Sequence, residues 1–134
     1  MNDQKGLALF PNHTFAWLDF SLDNAEPLVA PIRPGMLELI QVCLPGGEWL
    51  NGYLDEEGKL NGLDPNYAAT RLWEQTYGPT DFLVGPVVLF SSETQEGEER
   101  GLSQTEIASL STYLRHINCR EVVAPSAQER TDRV

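Results

Sequence analysis

The sequence predicts an α+β fold, a single small domain in which a mixed or antiparallel sheet of four to five strands carries two packed helices. Three observations support this. The chain has 134 residues, 41% of them hydrophobic, which suits one modest core and not two. Several short apolar or alternating runs are separated by Pro/Gly turn signals. Two longer stretches each open on a capping residue and then place apolar residues at helical spacing.

Residues 14–20, Thr-Phe-Ala-Trp-Leu-Asp-Phe, are aromatic and apolar without helical spacing and predict the first strand. Pro27, Pro31, Pro34 and Gly35 bar a regular helix of useful length from residues 21–35, which read as an irregular crossover along the sheet. Residues 36–44 predict a second strand, ended by Pro45-Gly46-Gly47. Residues 48–54 alternate and fold back as its hairpin partner. Trp49, Asn51 and Tyr53 then share one face, with Leu50 and Leu54 on the other.

The acidic stretch 55–60 reads as a turn, with Gly58 placed for a left-handed backbone and Leu60 opening a short return strand. Asp64 is expected as an N-cap and Pro65 as the first helical residue. Ala69, Leu72, Trp73 and Thr76 follow as a core-facing stripe, and Gly78-Pro79 ends the helix. Residues 82–90 are almost continuously apolar, which predicts a central strand buried on both faces, with a bulge at Gly85-Pro86 to accommodate the proline. Residues 91–101 read as a solvated acidic connector. Ser103 and Glu106 form a capping box, and Ile107, Leu110, Leu114 and Ile117 line one face of the closing helix. The domain is expected to span 1–123, with 124–134 a flexible tail.

Charge narrows the function classes. The net charge is −11 and the isoelectric point about 4.4. Residues 1–99 hold sixteen acids and four bases, whereas 100–134 are nearly balanced. Nucleic acid and anionic membranes both require clustered Lys and Arg, so neither is an expected partner. An acidic body suits a basic protein partner and can imitate a phosphate backbone. The N-terminus lacks the apolar stretch of a secretory signal, and no run approaches a membrane span. With two cysteines, Cys43 and Cys119, and no Cys-x-x-Cys pair, a reduced, cytoplasmic setting is expected.

In order and spacing, four segments resemble an uncharacterised family of small proteins found in bacteriophages, plasmids and their hosts. They are the Asp-Glu-Glu-Gly-Lys-Leu turn at 55–60, the Gly-Leu-Asp-Pro-Asn helix start at 62–66, the hydrophobic strand with its central glycine at 82–90, and the Leu-Ser-Gln-Thr-Glu helix start at 102–106. The resemblance covers about residues 36–117. It departs at Asp64, where the family more often has Pro, and at the three prolines of 21–35, where such proteins usually place a short helix. It implies a mobile-element, accessory context and brings no catalytic residues.

Chemical constellations are sparse. Residues 52–59 miss the spacing of a phosphate-binding loop, and Leu60 stands where its hydroxyl would be. Asp55, Glu56, Glu57 and Asp64 do not match a calcium loop, since Gly58 falls fourth and Asn66 twelfth. They form an acidic surface instead. His116 and Cys119 lack further zinc ligands, and a histidine near a helix C-terminus is accounted for by the helix dipole. No metal or cofactor is expected. The remaining binding candidates are Trp49, Asn51 and Tyr53 in the hairpin, with Arg71 able to grip an anion by paired hydrogen bonds. The expected function is therefore non-enzymatic, an acidic surface offered to a basic host protein or to a nucleic-acid-binding site. The alternatives are a pocket for a small anionic or nucleotide-like ligand, with assembly across subunits, and a small enzyme using the carboxylates of 55–64.

Overall fold

A computed structural model describes residues 3–95 and 98–123. Strands β1 (Gln4–Phe10), β2 (Thr14–Phe20), β3 (Leu37–Cys43), β4 (Trp49–Asp55), β5 (Val87–Gln95), β6 (Glu98–Arg100) and β7 (Arg120–Glu121) form one open sheet. The order is β3-β4-β5-β1-β2-β7, with β6 paired to β5. Every pairing is antiparallel except β2 with β7. Three helices accompany it, α1 (Glu26–Val29), α2 (Tyr67–Tyr77) and α3 (Gln104–His116).

The α+β class holds, but the sheet has seven strands in place of four to five. β1 adds one strand, and two short segments flanking α3 add the others. Residues 91–101 are not a plain connector, because β5 runs on to Gln95 and β6 returns along it. The tail at 124–134 lies outside the described residues.

Strand alternation assigns side chains to the two sheet faces. On one face Leu7, Leu9, Val42, Leu50 and Leu89 pack with Leu72 of α2 and Leu110 and Leu114 of α3. On the other, Ala8, Phe20, Val88 and Phe90 pack with Leu28 of α1 and Ile32 beyond it. Each fully buried leucine contributes roughly 1.5–3 kcal/mol of transfer free energy. β5 is buried on both faces at Val87, Val88, Leu89 and Phe90, as expected of a central strand. Its approach turns at Gly85, whose φ of 71° suits only glycine, and a Cβ there would lie 2.6 Å from Leu63 Cδ1.

The entry to α2 differs from expectation. The N-cap is Asn66, not Asp64, and the helix begins at Tyr67. Pro65 bridges Val84, and the Asn66 N–H donates to Leu83 O at 2.8 Å, so the chain stays extended through this point. The Asn66 side chain, 0% exposed, accepts from Ala69 N–H and donates to Leu9 O and Gly85 O. One amide thus caps the helix and satisfies two buried carbonyls. Gly58 does not adopt positive φ. The turn closes at Gly62 (φ 71°), and Gly58 instead makes room for Val84 Cγ2, 2.8 Å from where a Cβ would stand. Leu60 belongs to this turn, not to a return strand, and is 80% exposed.

Candidate acidic cleft and sheet edge

The turn after β4 carries the acidic surface back over the end of the sheet. Asp55 is buried there, and its Oδ1 accepts the Glu57 N–H at 3.0 Å, which fixes the first bend. Asp55 and Glu56 then join Glu38 of β3 and Asp81 around a cleft of about 200 Å³. Its apolar part comes from Ile40, Leu54, Trp73, Leu83 and Val84. Glu57 and Asp64 do not line it. Glu57 borders a neighbouring concavity with Arg33 and Met36.

Four acidic residues line this cleft beside one lysine, Lys59, and the Asp55 carboxyl itself turns toward Gly35 on the face of Leu37. Lys59 forms an ion pair with Asp81 and sits 4.3 Å from the Phe82 ring centroid. The hydrogen bond from Lys59 holds the Asp81 carboxyl below its ordinary range. The chain's own lysine thereby displays how this rim receives a cation, with a carboxylate on one side and a ring face on the other. The half-exposed Phe82 stands on the same rim. Sequence reasoning found Asp55 and Glu56 but missed Glu38 and Asp81. The available signal for Glu38 was a charge in a strand otherwise patterned for burial.

β3 is the free edge beside the cleft. Pairing of Leu44 N–H with Glu48 O and of Glu56 N–H with Met36 O sets the phase of the β3–β4 ladder, so Leu37, Leu39, Gln41 and Cys43 direct their backbone groups outward. Side chains of α2 cover half of this edge. Thr76 Oγ1 accepts from Cys43 N–H at 2.8 Å, and Tyr77 Oη donates to Gln41 O at 2.8 Å. Among the described residues, no hydrogen bond covers the outward groups of Leu37 and Leu39. The Leu39 side chain is 57% exposed.

The four ligand candidates are not brought together. Trp49, Asn51 and Tyr53 lie on the sheet face of Val88 and Phe90, whereas Arg71 stands on α2 across the sheet. Asn51 is buried and accepts from Gln41 Nε2 at 3.0 Å. Tyr53 Oη donates to Glu99 Oε2 at 2.9 Å, and burial, with that bond, pushes its pKa up to about 12. Trp49 is exposed.

Arg71 instead borders a trough between α2 and α3, made of two adjoining concavities of about 520 and 430 Å³ that share Pro45, Tyr113 and His116. Its guanidinium lies 5.9 Å from the Tyr67 ring, with no salt-bridge partner among the described residues. Glu74 lines the same trough. The Tyr113 hydroxyl donates to Ala68 O at 2.7 Å and is held protonated by burial. Burial likewise raises the Cys119 thiol, which makes it a poor nucleophile at neutral pH.

Among the described residues, no group of three or more His, Cys, Asp or Glu side chains could hold a metal ion, and no helix is long and apolar enough to cross a membrane. Comparison of the chain with known protein families, with curated proteins and with solved structures gave no match.

Proposed function

We propose that this chain is a non-enzymatic, cytoplasmic binding protein that offers its acidic cleft to a basic protein segment. The observation that carries this reading is the convergence of Glu38, Asp55, Glu56 and Asp81 on one apolar-floored cleft, from three separate stretches of chain. An apolar floor inside a charged rim suits a lysine or arginine, whose hydrocarbon stem packs while its head pairs. The resemblance to phage- and plasmid-borne proteins adds the context of an accessory protein acting on a host target.

Titration of the full chain with a lysine-rich peptide tests this. Affinity should fall steeply as salt rises, because screening acts on exposed charge. The double variant Glu38→Gln, Glu56→Gln should bind several-fold more weakly while keeping its stability. Affinity that ignores both salt and these substitutions would count against the reading.

A second reading is favoured by Arg71 alone. Standing without a salt bridge on a partly apolar trough, it suits a small organic anion. Naphthoate should then raise the thermal midpoint of the wild-type chain by mass action and leave Arg71→Gln unmoved.

A further inference from the structure

We infer that the basic segment binds as an added antiparallel strand on the open half of β3, with apolar and basic residues in alternation. This rests on the acidic-cleft reading and specifies the geometry of the partner.

The backbone provides the first part of the argument. Leu37 and Leu39 each point an N–H and a C=O away from β4, and no described group covers them. Uncovered edges of this kind pair readily with extended chains, and main-chain hydrogen bonds then supply affinity while alternate side chains supply selectivity. The open stretch is short. Toward Gln41 and Cys43 it meets the groups already taken by Tyr77 and Thr76, so an added strand has a definite end.

The side chains specify the pattern. A partner residue directly opposite Leu37 or Leu39 exchanges both backbone bonds with it and places its side chain on the face of Leu39 and Tyr53. That face is apolar there, since Leu39 is exposed and the Tyr53 ring lies 4.9 Å from Phe90. The partner residue between them stands opposite Glu38, in the non-hydrogen-bonded type of pair where side chains approach most closely. Its side chain falls on the cleft side, beside Glu38 and toward Glu56 and Asp81. Charge complementarity therefore requires Lys or Arg at that position, flanked on both sides by apolar residues.

The same charge argues against a second copy of this chain as the occupant. Two copies of net charge −11 repel, and self-pairing centred on Glu38 would set two carboxylates face to face.

The test uses the full chain and a short peptide alternating valine and lysine, beside an isomer with the valines and lysines in separate blocks. The alternating peptide should bind about ten-fold more tightly than the blocked one. N-methylation of its valines, whose N–H groups face Leu37 and Leu39, should abolish that advantage. N-methylation of its lysines, whose N–H groups face away, should leave it intact. Glu38→Gln should weaken the alternating peptide several-fold, whereas Asp23→Asn, an equal charge change on an exposed turn after β2, should not. If all peptides bind alike and equally salt-sensitively, strand addition is overturned while the acidic-cleft reading stands. If none binds above background at low salt, both fail. A native mass showing a dimer that the alternating peptide does not dissociate would assign the edge to a second copy and overturn the inference.

Discussion

The two halves of β3 have the same backbone geometry and opposite fates. At Gln41 the outward C=O and at Cys43 the outward N–H end on Tyr77 and Thr76 of α2. At Leu37 and Leu39 they end on nothing described, and the neighbouring side chains are an exposed leucine and the Glu38 carboxylate. The difference lies in α2, whose last turn reaches only the far half. Edge protection in this chain is thus a property of a helix position, and the unprotected half coincides with the acidic cleft.

The largest effect comes from unseating that helix. Asn66→Ala removes the cap of α2 together with the donors to Leu9 O and Gly85 O, both buried. A loss of about 2–4 kcal/mol is expected, since lost capping and unsatisfied carbonyls add together. Urea unfolding reads the loss, and hydrogen exchange should show Cys43 N–H losing protection with it. A narrower break is Thr76→Val. The hydroxyl accepts from Cys43 N–H and donates to Leu72 O at 2.8 Å, and valine does neither. About 1–2 kcal/mol should be lost. Cys43 N–H should then be uncovered beyond the still-bonded Gln41 C=O, seen as faster exchange at Cys43 alone.

This contrast shows what the sequence could and could not convey. The hairpin of β3 and β4, the buried residues 87–90 of central strand β5 and the capping box of α3 are legible because each rests on local pattern or cap chemistry. β5 begins only at Val87, however, so Pro86 precedes the strand and needs no bulge. β1 was not read. Its run Leu7-Ala8-Leu9-Phe10 is short, and its strand character comes from being sandwiched between β2 and β5. Asn66 is hidden as the cap because Asp64-Pro65 satisfies the local rule. The bridge from Pro65 to Val84, nineteen residues on, holds the chain extended for one step more. The cleft was half legible. Asp55 and Glu56 are contiguous in sequence, but Glu38 and Asp81 join them only through sheet register and the loop that precedes β5. Arg71 was separated from the hairpin aromatics by the sheet itself, which no spacing rule reveals.

Support for the open half can also be probed by pH. Tyr53 lies opposite Leu39, and its pKa is raised from 10.0 to about 12 by burial and the bond to Glu99. In the unfolded chain the phenol loses its proton near pH 10, whereas the folded chain holds it longer. Its contribution is therefore full below pH 10 and disappears as pH rises toward 12. Tyr53→Phe should flatten the decline of stability between those values, read from thermal midpoints across the alkaline range. An unchanged decline would mean that Tyr53 is not held by Glu99 as described.

The smallest expected change in stability is the most informative for the edge. Leu39→Lys alters an exposed side chain that faces away from α2 and α3, so stability should move by no more than about 0.5 kcal/mol. A lysine at this position is the device by which edge strands repel added strands, and here it would also repel a basic partner. Binding of the alternating valine–lysine peptide should be lost in a protein that unfolds as the wild type does. Arg71→Gln, in the trough between α2 and α3 and outside the cleft, should leave that binding untouched. Should Leu39→Lys bind as well as the wild type, the uncovered half of β3 would be a passive edge, and the acidic cleft would have to act without it.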